Sequence, residues 1–203
     1  MLKLWQKYGG FIHLGLKIIG VVLFWNAISN YTSLYWTLGN ISSTLLGFLV
    51  IMGLAIALYS EQKSFILSMF FAIQVFALLQ NATTLSQLFH LNEHIFWYHW
   101  VYSVVPILLI LISLVGFAWI KQRRGALIII VIEFISVIYN LLAISFLIED
   151  TTNGTYSFTL YSIFMSIIGI HFSLLLAVFV YQRYYKQDAF QKKMDQPDEI
   201  TFQ

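Results

Sequence analysis

The chain has 203 residues, 60% hydrophobic and 10% charged, with a formal net charge of +2 and no cysteine. A soluble domain of this length carries about 25% charged residues, so the composition excludes an ordinary water-soluble globule and points to a bilayer as solvent. The small net charge, carried by Lys and Arg in short separate clusters, excludes a nucleic-acid surface. The lack of cysteine excludes disulfide frameworks, thiolate metal sites and thiol nucleophiles.

The first stretch, Met1 to Trp25, has early lysines and then an apolar run, as a secretory signal would. Lys17 interrupts the run and no small-x-small cleavage site follows, so it reads as a retained first span, Phe11–Ser29. Five further apolar runs of membrane-crossing length follow: Ile41–Tyr59, Ser64–Thr84, Trp100–Ile120, Ala126–Leu147 and Phe158–Tyr181. Pro106 lies inside the fourth, where a membrane helix tolerates it if neighbours satisfy the freed carbonyl. The predicted fold class is all-α, a polytopic integral membrane bundle of six transmembrane helices. A single domain covers residues 1–182, and 183–203 form a short polar tail.

The charges orient this bundle. Lys3, Lys7, Lys63, Lys121, Arg123, Arg124, Arg183, Lys186, Lys192 and Lys193 all fall at the N-terminus, the second joint, the fourth joint or the C-terminal tail. Six spans with both termini cytoplasmic put every one of them inside. Trp5 and Trp119 fall near the inner boundary, and Trp25, Trp36, Trp97 and Trp100 near the outer one, as an aromatic belt does.

Ionisable side chains within spans are costly and mark candidate sites. At 1.5 Å per residue, Lys17 lies about 9 Å into span one and Glu133 about 10 Å into span five, from the same side. Matching depth predicts a Lys17–Glu133 ion pair, either structural or part of a site for a substrate, a proton or a coupling ion. Lys17 snorkelling to the inner interface is a further reading. His13 shares a helix face with Lys17. Gln74 lies near the middle of span three, and Glu133, Ser136 and Asn140 form a polar stripe on span five. Lys17, Glu133, His13, Gln74 and Asn140 are therefore the candidate substrate-binding residues. Span six carries Ser162, Ser166, Gly169 and Ser173 as a small-residue seam. His171 lies off that seam and reads as a histidine hydrogen-bonded to another helix.

The third joint holds His90, Glu93, His94 and His99 on the predicted outer side. His90 and His94 have the i, i+4 spacing that binds a divalent metal such as zinc. With Glu93 they are the candidate catalytic residues of an outer-leaflet site, matching the short pattern H-x-x-E-H. The alternatives are an interfacial loop, where His, Trp and Tyr sit at headgroup depth, and a pH sensor. Asn30, Asn40, Asn81 and Asn153 begin glycosylation sequons. The residue usage suits an AT-rich bacterial genome, where these carry no meaning.

Three functions compete. The first is a small-molecule transport or substrate-binding membrane subunit of the plasma membrane, using a polar intramembrane cavity. The second is a membrane-embedded enzyme acting on a lipid or lipid-linked substrate through His90, Glu93 and His94. The third is a non-catalytic membrane partner or immunity protein. In each the expected partners are the lipid bilayer and another membrane protein or a second copy of the chain.

Overall fold

The computed structural model describes residues 2–29, 38–90, 97–150 and 156–186. Among them the chain forms six α-helices: α1 (Leu2–Ser29), α2 (Leu38–Tyr59), α3 (Lys63–His90), α4 (Trp97–Ala118), α5 (Arg123–Asp150) and α6 (Tyr156–Val180). A π-helical turn, Tyr181–Tyr185, prolongs α6. Each helix overlaps one of the apolar runs: α1, α2, α3 and α5 contain theirs whole, while α4 ends two residues short of Ile120 and α6 one residue short of Tyr181. The helical path continues through the π-helical turn to Lys186. α4 passes through Pro106 without a break.

Four helical stretches are long and apolar enough to cross a membrane: Leu4–Phe24, Ser64–Ala82, Arg123–Ser145 and Leu160–Tyr185. Two more, Leu45–Tyr59 and Val104–Ala118, are apolar but shorter among the described residues. This is the length and hydropathy of a membrane-spanning helical protein, in which helices satisfy every backbone polar group internally. Large apolar side chains such as Leu49, Leu79, Ile138 and Leu142 are exposed on the outside of the bundle, as lipid contact requires.

Each helix packs against its neighbour in the chain, and α6 also packs against α1, which closes the circuit. Phe70 of α3 reaches Phe172 and Phe179 of α6, so α6 leans into the middle. The fully buried side chains include Leu54, Phe70, Ile129, Leu175, Leu176 and Val180.

Two tight joints shape one end. After α2, the Gln62 N–H donates to the Ala57 carbonyl (3.2 Å) and the Glu61 N–H to the Leu58 carbonyl (3.4 Å). That is the Schellman pattern, whose left-handed position usually holds glycine; here Glu61 holds it, with φ 56°. In the first turn of α5, Gly125 lies so close to the Trp119 carbonyl of the α4–α5 joint that a side chain there would collide with it.

The start of α1, the α2–α3 joint and the end of α6 border a common cleft. Arg123 of the α4–α5 joint reaches Tyr185 beyond α6, bonding its hydroxyl at 2.9 Å and covering its ring. All these segments therefore lie at one end of the bundle. Lys7, Lys121, Arg123, Arg124, Arg183 and Lys186 belong to them, and Lys17 alone of the described Lys and Arg residues past the first turn lies deeper.

Candidate functional site

Glu133 projects from the middle of α5 and is 3% exposed. Gln74 of α3 donates its Nε2–H to Glu133 Oε1 at 2.8 Å. Ser113 of α4 donates to the same oxygen at 2.9 Å. Ser173 of α6 borders the carboxyl, and its hydroxyl donates to Ser136 Oγ at 3.2 Å. One carboxyl group thus ties α3 and α4 to α5, with Ser173 of α6 beside it. A buried acceptor with two donors is satisfied where an isolated one would be costly.

The network continues along α5. Asn140 donates its amide N–H to the Ser136 carbonyl at 2.8 Å. Its Oδ1 lies over Gly169, where a Cβ would come within 2.9 Å of it. The glycine of the predicted seam therefore admits the Asn140 side chain between α5 and α6.

A second polar contact lies on the other side of α6. His13 of α1 is 2% exposed, and its Nδ1 stands 3.4 Å from Nδ1 of His171. The ring planes differ by 16°. Trp5 meets the His171 ring edge-on at 5.8 Å, and Phe172 tilts against His13 at 5.6 Å. His171 is thus bonded to a neighbouring helix, as its position off the seam led us to expect. Its Nε2 is buried, with no hydrogen-bond partner among the described residues. His171 and Ser173 are two residues apart, about 200° around the helix, so α6 shows one face to α1 and another to α5.

The expected Lys17–Glu133 ion pair is not formed. Glu133 is engaged by Gln74 and Ser113, and among the described residues Lys17 makes no hydrogen bond or ion pair. The reason is the helix order: α6 packs against both α1 and α5 and stands between them. Matching depth did not bring the two charges together. Lys17 is half-buried, one turn beyond His13.

Of the predicted binding residues, Glu133, Gln74 and Asn140 fall within one network, and His13 lies in the second contact. Ser113 was missed, although it is the one polar side chain between Pro106 and Trp119. His90 is the last residue of α3; its side chain, Glu93, His94 and the side chain of His99 lie outside the described residues. Among the described residues no group of three His, Asp or Glu side chains is placed to hold a metal ion. Asn81 lies within α3 and donates to the Ala77 carbonyl at 2.8 Å.

The chain matches no protein family, no curated protein and no solved structure.

Chemically, the two centres differ. The carboxyl takes two donors on one oxygen. The histidine pair shares one proton, because a bond between two neutral imidazole nitrogens requires one donor and one acceptor.

Proposed function

We propose that this is a multi-pass plasma-membrane protein that binds or moves a small anionic molecule through its polar interior. It has six transmembrane helices, with both termini in the cytoplasm, and its source is bacterial. The clustering of cations at one end of the bundle supports this orientation, since cytoplasmic joints collect Lys and Arg.

The observation that carries the reading is Lys17. An ammonium group within a membrane span, with no carboxylate beside it among the described residues, calls for an anion from outside the chain. His13, one turn before Lys17 on α1, and His171 beside it add imidazole nitrogens next to this region. Glu133, with Gln74 and Asn140, forms the second polar centre, suited to a coupling proton because side chains of this kind make intramembrane relays.

The test is a thermal-stability screen of small carboxylates and phosphates on the full chain in mild detergent. At about 100 times its dissociation constant a ligand adds about 2.7 kcal/mol of stability, a readily measured rise in melting temperature. The expected result is that an anion stabilises the wild type and not Lys17→Met. An anion response that survives Lys17→Met unchanged would overturn the assignment.

A further inference from the structure

The cleft at the cation-rich end has no part in the intramembrane site. It measures about 430 Å³ and is lined by Gln6 and Lys7 of α1, Glu61 of the α2–α3 joint, and Gln182 and Arg183 of the π turn. Leu58, Ile66 and Phe179 line its apolar side. The volume falls within the roughly 300–1,000 Å³ typical of small-molecule sites.

We infer that this cleft binds the headgroup of a phospholipid carrying both a phosphate and a primary ammonium, the phosphoethanolamine class. Three features support the assignment. The first is depth. Lys7 lies near the start of the apolar stretch Leu4–Phe24, and Gln182 and Arg183 near the end of Leu160–Tyr185. The cleft is therefore level with headgroups, and basic pockets between helices at that level take lipid phosphates.

The second feature is charge. Two cations and one carboxylate share one small cleft with two carboxamides. Lys7 is steadied over the Tyr59 ring at 4.9 Å. A purely anionic headgroup would meet Glu61 unfavourably. A zwitterion places its phosphate at Lys7 and Arg183 and its ammonium at Glu61. Phosphatidylcholine shares the phosphate, but its trimethylated nitrogen has no N–H to donate to a carboxylate.

The third feature is the backbone. Glu61 occupies the left-handed position of the α2 cap, where glycine is the unstrained residue. Residues held in such conformations cluster at ligand sites. The strained position fixes where the carboxylate-bearing residue leaves the joint, at the rim of the cleft.

The experiment compares phosphatidylethanolamine, phosphatidylcholine and phosphatidylglycerol of identical acyl chains, added to the full chain in mild detergent, with melting temperature as the readout. The ethanolamine lipid should raise the wild-type melting temperature about twofold more than either of the others. Glu61→Gln should abolish the difference between ethanolamine and choline lipids. The Lys7→Met/Arg183→Met double variant should weaken the response to all three. Equal responses of the wild type to the three lipids, or an ethanolamine preference that persists in Glu61→Gln, would overturn the inference. Water-soluble glycerophosphoethanolamine separates the sources. If it matches the lipid at equal concentration, the ligand is a soluble zwitterion and the lipid assignment fails; if only the lipid acts, the assignment stands.

Discussion

Nδ1 of His13 on α1 stands 3.4 Å from Nδ1 of His171 on α6. This is the contact that closes the helix circuit with a polar bond, since α6 is last in the chain and α1 first. Removing either ring leaves the other, whether the buried His13 or the half-buried His171, without its partner. His13→Ala and His171→Ala should each destabilise the protein, and the double variant should lose less than the sum. Interhelical hydrogen bonds in membranes couple by about 0.6 kcal/mol on average and up to about 1.7 kcal/mol. A double-mutant cycle in mild detergent measures this; a coupling near zero would mean that the bond contributes nothing.

Glu133 should separate structure from function. Glu133→Gln keeps an oxygen acceptor for Gln74 and Ser113, so the fold should stay within about 1 kcal/mol of the wild type. Glu133→Leu removes the acceptor and strands both donors, at a cost of about 1–3 kcal/mol. Denaturant titration ranks the two. If the carboxyl carries a coupling proton, Glu133→Gln should also lose ligand-driven proton movement in reconstituted vesicles while remaining folded.

Lys17 should behave in the opposite sense. It is half-buried with no ion pair among the described residues, so Lys17→Met should stabilise the protein by about 1–3 kcal/mol, the order of the cost of an intramembrane lysine. The same variant should lose the anion response. A variant less stable than the wild type would show that the ammonium is already compensated within the fold.

Two glycines make a contrasting pair. A Cβ at Gly125 would collide with the Trp119 carbonyl and approach the Gly116 carbonyl at 2.9 Å. Both obstacles are backbone, so Gly125→Ala should force α4 and α5 apart and cost several kcal/mol, about 3 or more. Gly15, inside α1, has nothing within 4 Å of its virtual Cβ. Gly15→Ala should stabilise by about 0.5–1 kcal/mol through helix propensity. Thermal melts of the two variants check both signs.

Glu61→Gly relieves the left-handed strain at φ 56°. It should stabilise the fold by about 1 kcal/mol while removing the headgroup preference. Stability and lipid response should therefore move in opposite directions at this one position.

The helices and joints were legible because their causes are local. An apolar run of about 20 residues forms a helix in lipid wherever it lies in the chain, and the polar stretches Ser60–Lys63 and Lys121–Gly125 separate such runs. Depth was legible for the same reason, at a fixed rise per residue. The importance of Glu133, Gln74 and Asn140 followed from their polarity within apolar runs, and Ser113 carried the same signal on α4. Ring contact between His13 and His171 was not legible, because the two residues are 158 positions apart.

By itself, then, the sequence determined that the chain is a set of apolar helices and how far along each helix its polar side chains lie; most helix ends fell within a few residues of those expected, while α1 begins nine residues before Phe11 and α3 ends six residues after Thr84. Only the tertiary structure decided which helix faces which. That choice separated Lys17 from Glu133, gave the carboxyl to Gln74 and Ser113, and paired His13 with His171. The physical reason is that position along a helix is fixed by local geometry. Rotation about the helix axis and the order of neighbours are set by long-range packing, such as the insertion of α6 between α1 and α5.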